Sequence, residues 1–178
     1  GREIRPDALL AKTLQRFLYH TSFPAGVVLI TSQCSGGGMA TRIVATVGDH
    51  RLAERQGTII ELPDGLLGDQ VAMIADEKYL ACFSNGRHYH HCLRLPVDSS
   101  TTILLLAQET PVSQLPLTVI FQPVLANLAK AIQLCRTNEK AAHLLEAERD
   151  QARALLSNLY NNIPDLVWLK DSNGTYLS

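Results

Sequence analysis

The apolar positions near the start of the chain predict one helix followed by several strands. In "PDALLAKTLQRFLYHT" they recur at helical spacing, with Pro6-Asp7 as a start signal. The segments "GVVLITSQ", "ATRIVATVGD" and "GTIIEL" are short and apolar, and they predict strands. In the second of these, Ile43, Ala45 and Val47 are expected on one face, because side chains alternate along a strand.

The second half of the pattern predicts a hairpin and then a long helix. The middle, "GLLGDQVAMIADEKYLACFSNGR", predicts a short helix followed by a strand. The segments "HYHHCLRLPV" and "TTILLLAQ" flank the polar turn Asp98-Ser99-Ser100 and predict an antiparallel hairpin. From about Leu115 to Asn162 the pattern is helical, and Pro123 near its start is either tolerated in a first turn or marks a break. The order predicts an α+β fold, an antiparallel sheet with helices packed on one face and a long C-terminal helix.

The long helix carries apolar residues at heptad spacing, which predicts a parallel homodimer formed through this helix. With Leu128 at position a, the a and d positions form a predicted seam of mostly apolar residues. These are Leu128, Cys135, Ala142, Arg149 and Leu156 at a, and Ala131, Asn138, Leu145, Ala152 and Leu159 at d. The alternative is a single amphipathic helix lying on its own sheet.

The last residues, "NNIPDLVWLKDSNGTYLS", predict a strand, a tight turn at Asp171-Ser172-Asn173-Gly174 and a returning strand. A lone two-stranded hairpin is only marginally stable in water. We therefore expect this hairpin to open a further domain, and the chain to be part of a longer multidomain protein.

Charge, hydrophobicity and cysteine content limit which partners and which cellular compartment the sequence predicts. The chain has 16 Lys and Arg against 17 Asp and Glu, so it lacks the basic excess that nucleic acids or anionic membranes call for. No stretch predicts a transmembrane span, since the best candidate is interrupted by Gln122, Pro123, Asn127 and Lys130. The four cysteines are scattered, at Cys34, Cys82, Cys92 and Cys135, and are expected to be free thiols in a cytoplasmic protein.

Two family resemblances follow from these segments. The stretch from Cys92 to Cys135, with "LPV", the polar turn and the strand Ile103 to Ala107, resembles the C-terminal half of a GAF domain. The segments "GVVLITSQ" and "ATRIVATVGD" are similar to the first GAF hairpin. One departure is the apolar run from Ile103 to Leu106, where family members often carry a glycine. The final segment, with Ile163-Pro164-Asp165 and Gly174, looks like the opening of a PAS domain.

The resemblances imply a GAF-like sensory domain over 1–136, a helical linker over 137–162 and a truncated PAS start over 163–178. This order resembles the input half of a bacterial signalling protein, which usually ends in a histidine kinase or a cyclic-di-GMP enzyme. The implied function is a non-catalytic module that binds a small molecule and relays its state through the helix. The alternative is a ligand-free dimerisation scaffold with a degenerate GAF fold, which the apolar run from Ile103 to Leu106 favours.

The expected walls of a ligand site are His88, His90, Cys92, Asp76 and Cys82. On a strand, His88, His90 and Cys92 would point to one side and could bind zinc, haem iron or copper. Neighbouring ligands would then lie roughly 7 Å apart, which is wide for one ion, so no metal site is predicted and no cofactor is identified.

Two cysteine chemistries known in GAF-like proteins fit less well. The free methionine sulfoxide reductases place a Cys-Asp pair before a Ser-Glu-Ile segment, whereas this chain has Cys82-Phe83. A covalently attached bilin needs a cysteine in a specific His-flanked setting, and "HHC" has these elements in a different order. We therefore predict that this chain is not an enzyme.

Overall fold

The computed structural model of the protein describes residues 5–34, 37–84, 86–111, 116–162, 169–170 and 176–177. The chain divides into two compact units, Gly1–Cys135 and Arg136–Ser178. The predicted features at 163–168, 171–175 and 178 lie outside the described residues, whereas the flanking pairs 169–170 and 176–177 are antiparallel, with Leu169 opposite Leu177.

A six-stranded antiparallel sheet forms the centre of the first unit, and its strand order is β3-β2-β1-β6-β5-β4. The α+β prediction is therefore confirmed. In chain order the elements are α1 (Pro6–His20), β1 (Ala25–Gln33), β2 (Met39–Val47), α2 (His50–Ala53), β3 (Ile59–Ile60), β4 (Ala72–Ile74), α3 (Glu77–Leu80), a 3₁₀ turn (Ala81–Phe83), β5 (His91–Pro96), β6 (Thr101–Ala107), α4 (Leu117–Asn162), β7 (Leu169–Lys170) and β8 (Tyr176–Leu177).

The two long helices cover one face of this sheet, as predicted. Helix α1 begins at Pro6, whose fixed φ suits a first turn, and it buries Leu10, Leu14 and Phe17. The start of α4 buries a matching stripe at helical spacing, Phe121, Leu125, Leu128 and Ile132. The rings of Phe17 and Phe121 meet edge to face, with 4.8 Å between their centroids.

Short elements and connecting segments cover the other face. This second apolar layer combines side chains of α2, α3 and the segments between strands with the sheet residues beneath them. Its fully buried members outside the sheet are Leu52, Leu66, Leu80, Phe83 and Tyr89. Because both faces of the sheet are covered, central strand β6 is buried along its whole length. Ile103 and Leu105 pack towards the long helices, and Leu104 and Leu106 pack into the second layer.

A β-bulge makes the predicted face of strand β2 wrong. Val28 pairs with Ala45 and Leu29 pairs with Ile43, so Val44 is the extra residue. The bulge reverses the alternation, because one residue is inserted without a partner. Ile43 therefore packs into the second layer, whereas Ala45 packs beneath the long helices.

The predicted order of elements in the middle segment is also wrong, because the strand precedes the helix. Strand β4 pairs with β5, with Ile74 opposite Cys92. Helix α3 follows immediately, and the Asp76 carboxylate caps its first turn by accepting a hydrogen bond from the Lys78 N–H at 2.9 Å. Within the described residues, no helix combines the length and the apolar character that a membrane span requires.

Candidate functional site

A buried aspartate and a buried tyrosine join two segments of the second layer. Asp49 follows β2 and caps α2, because its Oδ1 accepts a hydrogen bond from the Arg51 N–H at 2.9 Å. Its Oδ2 accepts a hydrogen bond from the Tyr89 hydroxyl at 2.6 Å. Asp49 is 8 % exposed and Tyr89 is fully buried. The pair therefore fixes the segment that enters β5 against the start of α2.

The protonation states of this pair follow from its surroundings. Burial alone would raise the pKa of Asp49, but the hydrogen bonds from Tyr89 and Arg51 and the nearby charge of Arg87 hold that pKa below its usual value. Burial is the main cause that raises the pKa of Tyr89 well above its usual value, and the hydrogen bond to Asp49 is the second cause. At neutral pH the pair is therefore a carboxylate that accepts a hydrogen bond from a neutral phenol.

A polar cleft of about 210 Å³ opens beside this pair. It is lined by Gly48, Asp49, His50, Arg51, Gly86 and Arg87. Arg51 packs directly on Gly86, since a Cβ there would lie 1.5 Å from the Arg51 Nη1. The volume leaves room for a small polar ligand. The cleft offers cationic side chains around one buried carboxylate.

The predicted ligand-site residues differ in their surroundings. Asp76 is the cap of α3, and His88 and His90 are exposed. The His90 Nδ1 lies 3.8 Å from the Glu77 Oε2, across an exposed pair of side chains. Cys82 is half-buried and its Sγ donates to the Tyr79 carbonyl at 3.4 Å, whereas Cys92 is fully buried in the second layer.

The expected strand geometry of the two histidines and Cys92 is wrong, because β5 begins only at His91. His88 and His90 precede the strand and face solvent, whereas Tyr89 between them and Cys92 after them are buried. No group of three His, Cys, Asp or Glu side chains that could hold a metal ion occurs in the described part of the chain.

Both candidate thiols are poor nucleophiles in this environment. Burial raises the pKa of Cys92 to about 12, although nearby Arg94 opposes the shift. Burial also raises the pKa of Cys82, against the opposing charge of Arg55. Thiols with raised pKa values are protonated at neutral pH, and the thiolate is the reactive form. The arrangement therefore offers no support for cysteine redox catalysis.

Many side chains of the second layer are completely buried. Its side chains include nine that are fully buried, namely Leu29, Ile43, Leu52, Leu66, Leu80, Phe83, Tyr89, Leu104 and Leu106. A side chain that borders a cavity large enough for water would keep some accessible surface. These nine side chains therefore border no such cavity.

Two shallower grooves lie at the end of the β5–β6 hairpin. Their volumes are about 470 and 480 Å³, and they share Asp69, Pro96 and Val97. Arg94 fixes the segment that borders both grooves. Its guanidinium donates to the carbonyl oxygens of Gly65 at 3.1 Å and Leu66 at 3.3 Å, and its Nε donates to that of Gln70 at 3.1 Å.

Sequence reasoning missed Asp49, Tyr89 and Arg94. An aspartate just after the glycine that follows β2 is a typical helix-capping signal, and it could have identified Asp49. Tyr89 carried a weaker signal, as the one apolar ring among three histidines. Arg94 carried none, because its three carbonyl partners belong to a segment more than twenty residues earlier.

The predicted seam residues divide into three sets along α4. Leu128 is buried in the core of its own unit, so it is not available to a second chain. Three are half-buried, namely Ala131, Cys135 and Ala142. Five are exposed, namely Asn138, Leu145, Arg149, Ala152 and Leu156, and the side chain of Leu159 lies outside the described part.

The Asp49–Tyr89 pair predicts a stability optimum between two pH limits. The lowered pKa of Asp49 stabilises the fold above about pH 4, and this contribution is lost as the pH falls through the folded-state pKa. The raised pKa of Tyr89 stabilises the fold below about pH 10, and this contribution is lost at higher pH. Urea unfolding at several pH values measures both limits.

The matched variants separate the two limits. In Asp49→Asn, the loss of stability at acid pH is expected to become smaller. In Tyr89→Phe, the loss of stability at alkaline pH is expected to become smaller. An acid limit that is unchanged in Asp49→Asn would contradict the assignment to this carboxylate.

Comparison with known proteins supports the fold. No protein-family model matches the sequence, and a search of curated proteins finds no match. The solved structures that are similar to the chain include three GAF domains. The second GAF domain of DevS from Mycobacterium smegmatis has a TM-score of 0.56 and 14% identity, over 76% of this chain and 99% of that one.

The GAF domain from Acinetobacter phosphoenolpyruvate-protein phosphotransferase has a TM-score of 0.55 and 14% identity, over 76% of this chain and 87% of that one. The GAF domain of a putative sensor histidine kinase from Pseudomonas syringae pv. tomato has a TM-score of 0.48 and 19% identity, over 82% and 83% of the two chains. The first two likenesses establish that this chain has the fold of a GAF domain.

Proposed function

We propose that this chain is a non-catalytic regulatory module that pairs with a second copy through α4 and passes its state along that helix. The observation that carries the proposal lies in the second unit. There, the helix exposes Leu144, Leu145, Leu155 and Leu156, each between 54 % and 70 % accessible. Four large apolar side chains within thirteen residues favour burial against another helix.

The rest of α4 supports a role in relay. Its first four turns are tied to the sheet by Phe121, Leu125, Leu128 and Ile132. The same helix continues without interruption to Asn162, just before the segment that resembles the start of a PAS domain. A change in the sheet would shift or rotate this helix, and a paired helix that has two discrete packings would transmit that change.

Ligand binding is the second candidate function, and the polar cleft beside Asp49 and Tyr89 favours it. The cleft has room for a small polar molecule, and it borders both α2 and the segment that enters β5. The nine fully buried side chains of the second layer leave no room for a larger ligand among themselves. A ligand of the cleft would therefore act by changing the position of Arg51 or Arg87.

Native mass spectrometry of the 178-residue chain tests both candidates. We expect a dimer, with twice the mass of the 19.5-kDa chain and no added component. Leu145→Glu should give a monomer, because a charge would replace an apolar contact in the seam. Glu146→Gln, on the neighbouring position, should leave the dimer intact.

Each other outcome has a distinct meaning. A dimer that retains a small molecule would favour the sensor over the ligand-free scaffold and would give the mass of the ligand. A wild-type chain that stays monomeric at high micromolar concentration would overturn the proposal of pairing through α4.

A further inference from the structure

Helix α4 presents two different apolar stripes in the first unit. One stripe contains Leu125, Leu128 and Ile132, and it is buried against the sheet of its own chain. The other lies on a different side of the helix and contains Ile120, Val124 and Leu134, which are 42 %, 42 % and 65 % exposed. Leu128 cannot serve a second chain while it fills the core, so the seam predicted from the sequence is blocked at its first position.

In the second unit every residue from 143 to 157 is exposed, so the register there is set by continuing the second stripe along the helix and not by exposure. Counting on in heptads from Ile120 and Val124 leads to Ala141, Leu145, Ala152 and Leu155. All four are exposed, and Leu145 and Leu155 are 70 % and 64 % accessible. Ala142 of the first register and Ala131 of the new one are both half-buried in the single chain, so the burial of Leu128 is what distinguishes the two registers.

We infer that the second copy docks on this exposed stripe, in a parallel, in-register pair with a heptad register different from the predicted one. The former d positions become a positions, namely Ala131, Asn138, Leu145 and Ala152. The new d positions are Leu134, Ala141, Glu148 and Leu155. This inference rests on the proposed pairing through α4 and specifies which side of the helix carries it.

The composition of the stripe fits a second copy of the same chain. In a parallel pair each a residue faces its own counterpart, and an Asn138 amide can donate to and accept from the other Asn138. A single asparagine at an a position is a known device for fixing register and favouring two strands. Glu148 would face its counterpart, but Arg149, on the next position, lies within reach of the opposite Glu148 and offsets the repulsion.

The stripe is long enough to reach the minimum size of a specific interface. From Ile120 to Leu155 the helix rises about 53 Å, and a strip about 10 Å wide along it covers about 500 Å² on each chain. Two such strips bury about 1,000 Å², which reaches the lower limit for a specific interface. The second copy therefore matches the stripe in length, polarity and charge.

Cysteine cross-linking distinguishes the two registers within each unit. Both variants of the first pair carry Cys34→Ser. One of them places the thiol at position 134, by Leu134→Cys and Cys135→Ser, and the other keeps the native thiol of Cys135. In the Cys34→Ser, Cys135→Ser background, Leu155→Cys is compared with Leu156→Cys. We expect the 134 and 155 thiols to cross-link at least about tenfold faster than the 135 and 156 thiols, because a disulfide requires Cα atoms within about 7 Å.

The outcomes separate failure of the register from failure of pairing. Faster cross-linking at 135 and 156, or equal rates within each pair, would overturn the register while native mass still reports a dimer. Leu145→Cys is the control, since it lies in the seam in both registers. A dimer in which this variant does not cross-link would overturn the parallel arrangement, and a monomer would overturn the proposed pairing as well.

Discussion

Replacing Gly48 by alanine is expected to destabilise the first unit by about 3 kcal/mol or more, a loss typical of substitutions that strain a special backbone position. Gly48 has a φ of 91°, which side-chain-bearing residues rarely adopt. A Cβ there would lie 2.0 Å from the Pro24 carbonyl oxygen and 2.9 Å from the Ala25 Cα. Both are backbone atoms at the start of central strand β1, so relief would require moving that strand.

Gly57→Ala is the matched control for this prediction. Gly57 has a φ of 87°, but no atom lies within 4 Å of the position that its Cβ would occupy. The free energy of unfolding of Gly57→Ala should therefore fall only by the cost of placing a side-chain-bearing residue in the left-handed region, about 1–2 kcal/mol. Urea unfolding followed by circular dichroism measures both variants. Equal losses of stability in the two variants would contradict this prediction, because the contact with Pro24 would then add nothing to the free-energy cost of the positive φ.

Tyr89→Ala is expected to cost about 3–5 kcal/mol, the range for removing a large buried aromatic side chain. Tyr89 is fully buried in the second layer, and its hydroxyl is a hydrogen-bond donor to the buried Asp49 carboxylate. The substitution leaves a cavity and also removes a donor from a charged acceptor, so the two losses add.

Tyr89→Phe separates these two contributions. It keeps the ring and removes only the hydroxyl, so we expect a loss of about 1–3 kcal/mol, typical of a hydrogen bond to a charged group. The free energy of unfolding is measured as for Gly48→Ala. If Tyr89→Ala were no less stable than Tyr89→Phe, the packing of the ring would contribute nothing, contrary to its full burial.

The elements that the sequence predicted well are those whose signals are local. Helix α1 has a single apolar stripe at helical spacing and Pro6 at its start, and the structure confirms it. The β5–β6 hairpin has a turn whose Asp98 carboxylate accepts hydrogen bonds from the Ser100 and Thr101 N–H groups at 2.8 Å. In both cases the information lies within a few residues, so a pattern in the sequence suffices.

The sequence-based predictions were wrong or incomplete where contacts between distant parts of the chain determine the local structure. The bulge at Val44 depends on how β2 pairs with β1, and a reversal of faces cannot be read from alternation within β2 alone. The hydrogen bond between Asp49 and Tyr89 joins residues forty positions apart. The burial of Leu128 depends on the sheet, which competes with a second chain for the same apolar residues of α4.

The pairing of β1 with β6 at the centre of the sheet also constrains how the chain acquires its structure. Val28 pairs with Ile103, so β1 cannot form this pairing until a strand seventy-five residues later in the chain has been synthesised. Until β6 and the start of α4 have left the ribosome, the β1–β2 hairpin has an unpaired edge and uncovered faces. Long-range pairings of this kind slow folding and leave strand edges exposed to aggregation. During synthesis, this domain is therefore exposed to misassociation until nearly all of its first 135 residues have emerged.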